Sequence, residues 1–201
     1  MNQKNTAKSA PANRSSIGPF DIDEIESLAE HADFGAIKFR AQSDVQVRLE
    51  IEEQTSRVTA MQFEVADSTL QVQAFAAPKT DGLWHEVRAQ LMEAITTQGG
   101  EVEERLGSFG PELVAKLPLT DDKGARVGDR FARFIGVDGP RWFLRGMIGG
   151  AAINDPAAAS LVEVLFRSLV VERGNEPVPP RDLLTLHFPE GVVVPPRNAL
   201  S

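Results

Sequence analysis

The sequence predicts an α+β sandwich in which a central antiparallel β-sheet is packed by two main helices. Three observations carry this. Apolar residues recur with period two over 45–51, 58–65 and 70–76, the mark of strands with one wet face. Two later segments switch to helical spacing. The strands come in runs joined by short polar links, whereas a doubly wound parallel sheet requires strands and helices to alternate.

Residues 1–17 (MNQKNTAKSAPANRSSI) are polar, small and aperiodic, and read as a disordered tail. Ile22, Ile25 and Leu28/Ala29 then recur behind an acidic start, predicting a short helix or turn that ends at Gly35. Val45, Val47, Leu49 and Ile51 alternate with Gln46, Arg48 and Glu50, and the pattern returns in Met61, Phe63 and Val65, then in Leu70, Val72, Ala74 and Ala76. Links at 52–57 and 66–69 suit hairpins, so these strands form a meander. Thr80 or Asp81 is placed to cap a helix with Leu83, Val87, Leu91, Ala94 and Ile95 on one face, stopping at Gly99-Gly100.

Four more strands are predicted at about 101–106, 112–119, 126–137 and 141–148, with turn chemistry in DDKG at 121–124 and DG at 138–139. Asn154-Asp155-Pro156 opens a second helix that buries Leu161, Val162, Leu165, Phe166 and Leu169. Residues 18–174 thus make one domain. The proline-rich 175–201 reads as an extended arm anchored by Leu183, Leu184, Leu186 and Phe188.

Lys and Arg number 21 against 29 Asp and Glu, a net charge of −8, so the overall field repels nucleic acid and anionic membranes, and neither is an expected partner. The absence of cysteine removes disulfides, thiolate catalysis, cysteine-type zinc sites and iron–sulfur ligation. No apolar run nears the roughly 18–20 residues that span a bilayer, and the first twenty residues carry no signal-type apolar stretch, so the cytoplasm is the expected compartment.

The familiar catalytic motifs fail on spacing. HEVRA at 85–89 begins like a zinc-protease helix, but the second ligand position is Ala89. GSFG at 107–110 lacks the register of a nucleophile elbow, and GMIGG at 146–150 lacks that of a phosphate loop. DIDEIE at 21–26 lacks the glycine and spacing of a calcium loop and reads as a solvated helix start. No metal or cofactor is expected.

The richest stretch is RVGDRFARFIGVDGPRWFLRG at 126–146, with five arginines against two aspartates in an otherwise acidic chain. If Asp138-Gly139 is a two-residue turn, Gly136 faces Arg141, Phe134 faces Phe143, Ala132 faces Arg145 and Arg130 faces Met147. Three arginines then share one hairpin face, while Arg133 points to the other with Ile135, Trp142 and Leu144. Guanidinium groups among aromatic rings suit a carboxylate, a phosphate or an acidic partner segment. The plainer reading stays open beside it: these arginines pair with the chain's own carboxylates, and Trp142 is core. The candidate binding residues are Arg130, Arg133, Phe134, Asp138, Arg141, Trp142, Phe143 and Arg145.

GPFD (18–21), QVQAFAAPKTDGLWHEVR (71–88), GG-x-VEER (99–105), FIGVDGPRWFLRG (134–146) and EPVPPRDLL (176–184) together resemble an actinobacterial family of unknown function over residues 18–188. The resemblance implies no catalytic residues. Gene neighbourhoods of that family, near dUTPase genes, keep a nucleotide-related role as an alternative. The order of three strands, helix, several strands and helix is similar to the Mog1p/PsbP-like α/β/α sandwich, whose members are mostly accessory proteins; fold alone does not fix function.

The resulting expectation is a cytoplasmic, non-catalytic binding or accessory protein that offers the Arg/aromatic hairpin to an unknown acidic protein partner or a small anionic ligand. The alternative is an enzyme acting on a phosphorylated or carboxylated metabolite, with Arg130, Arg141 and Arg145 holding the anion and Asp138 or His85 as acid or base. A third reading makes the hairpin a homodimer seam.

Overall fold

The structure, a computed structural model, describes residues 6–189. In chain order the elements are α1 (Arg14–Ile17), β1 (Phe20–Asp21), β2 (His31–Asp33), β3 (Ile37–Arg40), β4 (Gln46–Ile51), β5 (Val58–Val65), β6 (Ser68–Ala76), α2 (Trp84–Thr97), β7 (Glu101–Gly107), β8 (Gly110–Thr120), β9 (Arg126–Asp138), β10 (Trp142–Gly150), α3 (Pro156–Ser168) and β11 (Val170–Val171). No helix among the described residues is long and apolar enough to cross a membrane.

Seven strands form an antiparallel sheet in the order β4-β5-β6-β10-β9-β8-β7. The strong period-two segments all lie in it. A second sheet, β1-β11-β3-β2, corrects the expectation of one central sheet. Its strands are two to four residues long, too short for alternation to show, so 18–35 read as a short helix or turn. Only a 3₁₀ turn forms there, at Ile22–Glu24, with Asp21 and Glu24 making a capping box.

Each face of the large sheet has its own core. Met61, Phe63, Leu70, Val72, Ile135, Val137, Trp142 and Leu144 pack against Val162, Leu165 and Phe166 of α3 and against Ile37 and Phe39 of the small sheet. On the opposite face, Leu113, Ala115, Ala132, Phe134 and Phe143 pack against Trp84 and Ile95 of α2. Trp84, Trp142, Phe63 and Phe166 are fully buried, and aromatic side chains of this size contribute about 1.5–3 kcal/mol or more each.

The two helices start differently. Asp155 accepts the Ala157 N–H at 2.8 Å, with Pro156 at the first helical position, as the sequence predicts for α3. The expected cap of α2 by Thr80 or Asp81 does not form. Leu83 holds that position, and Asp138 at the end of β9 accepts the N–H groups of Leu83 (2.7 Å) and Trp84 (3.4 Å).

Both chain ends of the described region are docked. The tail read as disordered over 1–17 lies, from residue 6 on, across the β9–β10 tip. Gly82 N–H donates to Thr6 O at 2.8 Å, Ser9 and Asp138 exchange two hydrogen bonds, and the Lys8 ammonium donates to the carbonyls of Gly139 and Pro140. Arg14 grips Glu24 with both Nη atoms and lies over the Trp142 ring. Backbone hydrogen bonds and charge anchor this segment, and neither produces an apolar period. At the other end, Leu184 N–H donates to Ala74 O at 2.9 Å while Leu184 and Leu186 are buried. The expectations for 1–5 and 190–201 lie outside the described residues.

Candidate functional site

The β9–β10 hairpin forms with a register that differs from the predicted one. Three residues, 139–141, join the strands, and Phe143 faces Asp138, Arg145 faces Gly136 and Met147 faces Phe134. The shift is an even number of residues, so each side chain keeps its predicted face. Its partners change, and the three arginines do not share one patch. Arg130 lies out beside Leu117 of β8 and is exposed, Arg141 is exposed at the tip, and neither has a side-chain partner among the described residues. Arg145 lines a cleft between α2 and β6–β10, whereas Arg141 lines a separate one beside Asp21 and Asp23.

Most of the other candidates are structural. Arg133 is 5% exposed and is bound by Glu112 and Glu163, each at 2.9 Å. Burial works to lower its pKa, and the bonds from the two glutamates outweigh that and raise it. Phe134 belongs to the α2-side core. Trp142 is buried and donates its Nε1–H to Asp21 Oδ2 at 2.7 Å. Asp138 is the shared acceptor for α2 and for Ser9, where burial pushes its carboxyl pKa upward against the pull of those N–H groups and Lys8. Near the tip both hairpin faces are covered by the chain itself, whereas Val127 and Phe131 in the outer half of β9 are exposed.

What remains is a row of stacked groups on the α2 side of the sheet. The Arg145 guanidinium lies 5.6 Å from the Phe75 ring, Phe75 stacks with Phe143 at 5.8 Å, Phe143 with Trp84 at 5.9 Å, and Arg88 closes the row 5.8 Å from Trp84. Gly136 makes the row possible, because a Cβ there would stand 2.4 Å from the Trp84 ring. Trp84 is also held by its Nε1–H, which donates to Pro111 O at 2.6 Å.

The two ends of the row differ in charge balance. Arg88 Nε donates to Glu104 at 2.6 Å, whereas Arg145 hydrogen-bonds only the Gln73 side-chain oxygen and has no carboxylate partner among the described residues. Burial lowers the pKa of Arg145, as expected for a cation without a counter-charge. Beyond Arg145 opens a cleft of about 190 Å³ walled by Phe75, Phe143, Leu83 and Val87, with Glu86 and Gln90 also in its lining.

Arg181 stands at the rim of this cleft and bonds Glu86 at 2.7 Å. Its backbone has φ of 77°, in the left-handed region that costs a side-chain-bearing residue about 1–2 kcal/mol. Pro179-Pro180-Arg181-Asp182 closes with an Asp182 N–H to Pro179 O bond at 3.2 Å, so Arg181 takes the third turn position, where a type II turn ordinarily has glycine. Neither Asp138 nor His85 lines the cleft. Among the described residues no group of three or more His, Asp and Glu gathers as a metal set.

Residues 18–194 match the model of a family described as protein of unknown function, DUF3710. The chain belongs to the DUF3710 family. No curated protein matches it. The solution structure of cyanobacterial PsbP (CyanoP) from Synechocystis sp. PCC 6803 is similar to this DUF3710 chain at 17% identity and a TM-score of 0.40, over 68% of this chain and 86% of that one.

Sequence reasoning singled out Arg145 and Phe143 of this DUF3710 cleft and passed over Phe75, Leu83, Val87 and Arg181 as site residues. A signal existed for Phe75, which interrupts a wet strand face otherwise made of Gln71 and Gln73. Another existed for Arg181, which follows two prolines where a turn asks for glycine.

Proposed function

We propose that this protein is a non-catalytic binding or accessory protein that engages a small anionic ligand, or an acidic segment of a partner, through Arg145 in the cleft between α2 and the β6–β10 face. One observation carries the reading: Arg145 is half-buried among aromatic rings without a carboxylate, in a chain with an excess of acids. The buried arginines 88 and 133 each hold a glutamate. An unpaired cation taken out of water is unfavourable until an anion joins it, so the cleft is preorganised for one. The net charge of −8 works against extended polyanions and leaves room for a single compact negative group.

Binding is favoured over catalysis because the acid–base candidates Asp138 and His85 stand outside the cleft and the carboxylate inside it, Glu86, is bonded to Arg181. The test follows the Arg145 Nε–H and the neighbouring Phe75 ring resonances while acetate, phosphate or an acidic peptide is added. A saturable shift of both in wild type, with the Phe75 shift lost in Arg145→Gln, supports the reading, and an Arg145 signal unmoved by all three ends it.

A further inference from the structure

Resting on the reading of Arg145 as an anion anchor, we infer that the ligand is a small monocarboxylate with an apolar, ring-sized body, and that Arg181 is its second arm.

The row of stacked groups supplies the argument for a carboxylate. Its two ends are chemically alike, a guanidinium over an aromatic ring at 5.8 Å for Arg88 and 5.6 Å for Arg145. At the Arg88 end the row is completed by a carboxylate of the chain itself, Glu104, 2.6 Å from Nε. At the Arg145 end no carboxylate bonds the guanidinium and the cleft begins, its lining carboxylate Glu86 being taken up by Arg181. A ligand carboxylate in the corresponding place gives Arg145 what Glu104 gives Arg88: one matched charge and two acceptor oxygens for a planar fork of donors. A phosphate brings up to two charges into a cleft that Glu86 also lines, so a singly charged carboxylate meets less repulsion there.

Cleft size and lining set the rest of the ligand. A volume of about 190 Å³ falls below the roughly 300–1,000 Å³ of sites that enclose drug-sized molecules, which leaves out a nucleotide. Phe75 and Phe143 form one wall, and Leu83 and Val87 face it from α2. Flat or branched hydrocarbon between such walls gains offset ring contacts and buried apolar area.

Arg181 explains why a strained residue sits at the rim. The turn places the Arg181 side chain in the lining of the cleft, and a glycine, though easier on the backbone, has none. Its present partner Glu86 is an exchangeable one, since the Arg181 side chain is 60% exposed and surface pairs are weakly held. Entry of a carboxylate lets Arg181 turn from Glu86 to the ligand.

The experiment uses the full chain, with phenylacetate, inorganic phosphate and a tetraglutamate peptide as probes. Chemical shifts of the Arg145 Nε–H and the Phe75 and Phe143 rings are followed in wild type, Arg145→Gln, Arg145→Lys and Arg181→Gly. Phenylacetate is expected to shift all three groups saturably. The affinity falls about tenfold or more in Arg145→Gln, as loss of a charge-assisted bond implies, and Arg145→Lys recovers part of it. Arg181→Gly weakens binding several-fold while its thermal midpoint equals or exceeds that of wild type.

If phosphate or tetraglutamate moves Arg145 and phenylacetate does not, the ligand class is overturned while the anion-binding reading stands. If none of the probes moves Arg145, both fall. Full phenylacetate affinity in Arg181→Gly removes Arg181 as the second arm.

Discussion

The carboxylate of Asp138 accepts the Leu83 N–H at 2.7 Å across 55 residues of sequence, so the first turn of α2 is capped by the end of a distant strand. The same carboxylate takes the Ser9 N–H at 2.9 Å. Asp138→Ala removes the acceptor for a helix start and for the N-terminal segment together. Loss of the cap alone costs about 1–2 kcal/mol, so the urea midpoint should drop accordingly, with Asp138→Asn, which keeps one acceptor oxygen, falling between the two. Urea melts of the three proteins check this, and an alanine variant as stable as wild type would contradict it.

Arg133 and Glu112 are both buried, with Arg105 and Glu163 as further partners. Breaking such a network from one side strands a charge at a cost of about 3–5 kcal/mol. Arg133→Met is expected to lose that much. The double variant Arg133→Met, Glu112→Leu should lose less than the sum of the two single changes, and a double-mutant cycle from denaturant melts measures the difference.

Gly136→Ala should be harmful in spite of its single added methyl group. The new Cβ would lie 2.4 Å from the Trp84 ring and 2.9 Å from Phe143. Overpacking of this kind costs about 1–3 kcal/mol, and the stacked row must shift. Near-ultraviolet circular dichroism, which reads the packing of the two tryptophans, reports the change directly; an unaltered spectrum with unaltered stability would refute the assigned role of Gly136.

Acid should loosen the N-terminal segment through Glu24. Burial acts to raise its pKa, but the Arg14 pair and the Asp21 N–H outweigh burial and hold it below the ordinary glutamate value of 4.5. A folded-state pKa below the unfolded one contributes stability that is present above pH 4.5 and is lost as pH falls through the folded value. The thermal midpoint of wild type should therefore fall more steeply below that pH than that of Glu24→Gln. Parallel curves for the two proteins would remove Glu24 from the account.

The long strands were legible because each has one dry face: Leu70, Val72, Ala74 and Ala76 are all buried, with polar neighbours between them. The small sheet was hidden, since Phe20–Asp21 and Val170–Val171 are too short to alternate. Face assignments in the hairpin survived the register change because both registers share a parity, whereas cross-strand partners such as Arg145 and Gly136 depended on a turn that proved longer than two residues. The cap of α2 was beyond local reading, because Asp138 reaches Leu83 through the tertiary fold.

The same separation governs the arginine island. A sequence shows that five arginines are near one another in the chain, but only the fold decides which meet an acid. Arg133 finds Glu112 and Glu163, Arg126 finds Asp129, and Arg145 finds a glutamine and the Phe75 ring.

Docking of residues 6–9 onto residues 138–140 also sets a clock on synthesis. Ser9 leaves the ribosome 129 residues ahead of Asp138, which at bacterial and eukaryotic elongation speeds is a wait of about 6–26 s. During that interval Lys8 and Ser9 have no seat, and α2 has no cap. Residues 6–9 are thus seated only after the β9–β10 tip is made, and their protection from hydrogen exchange on a stalled nascent chain would mark the moment at which that tip has emerged and closed.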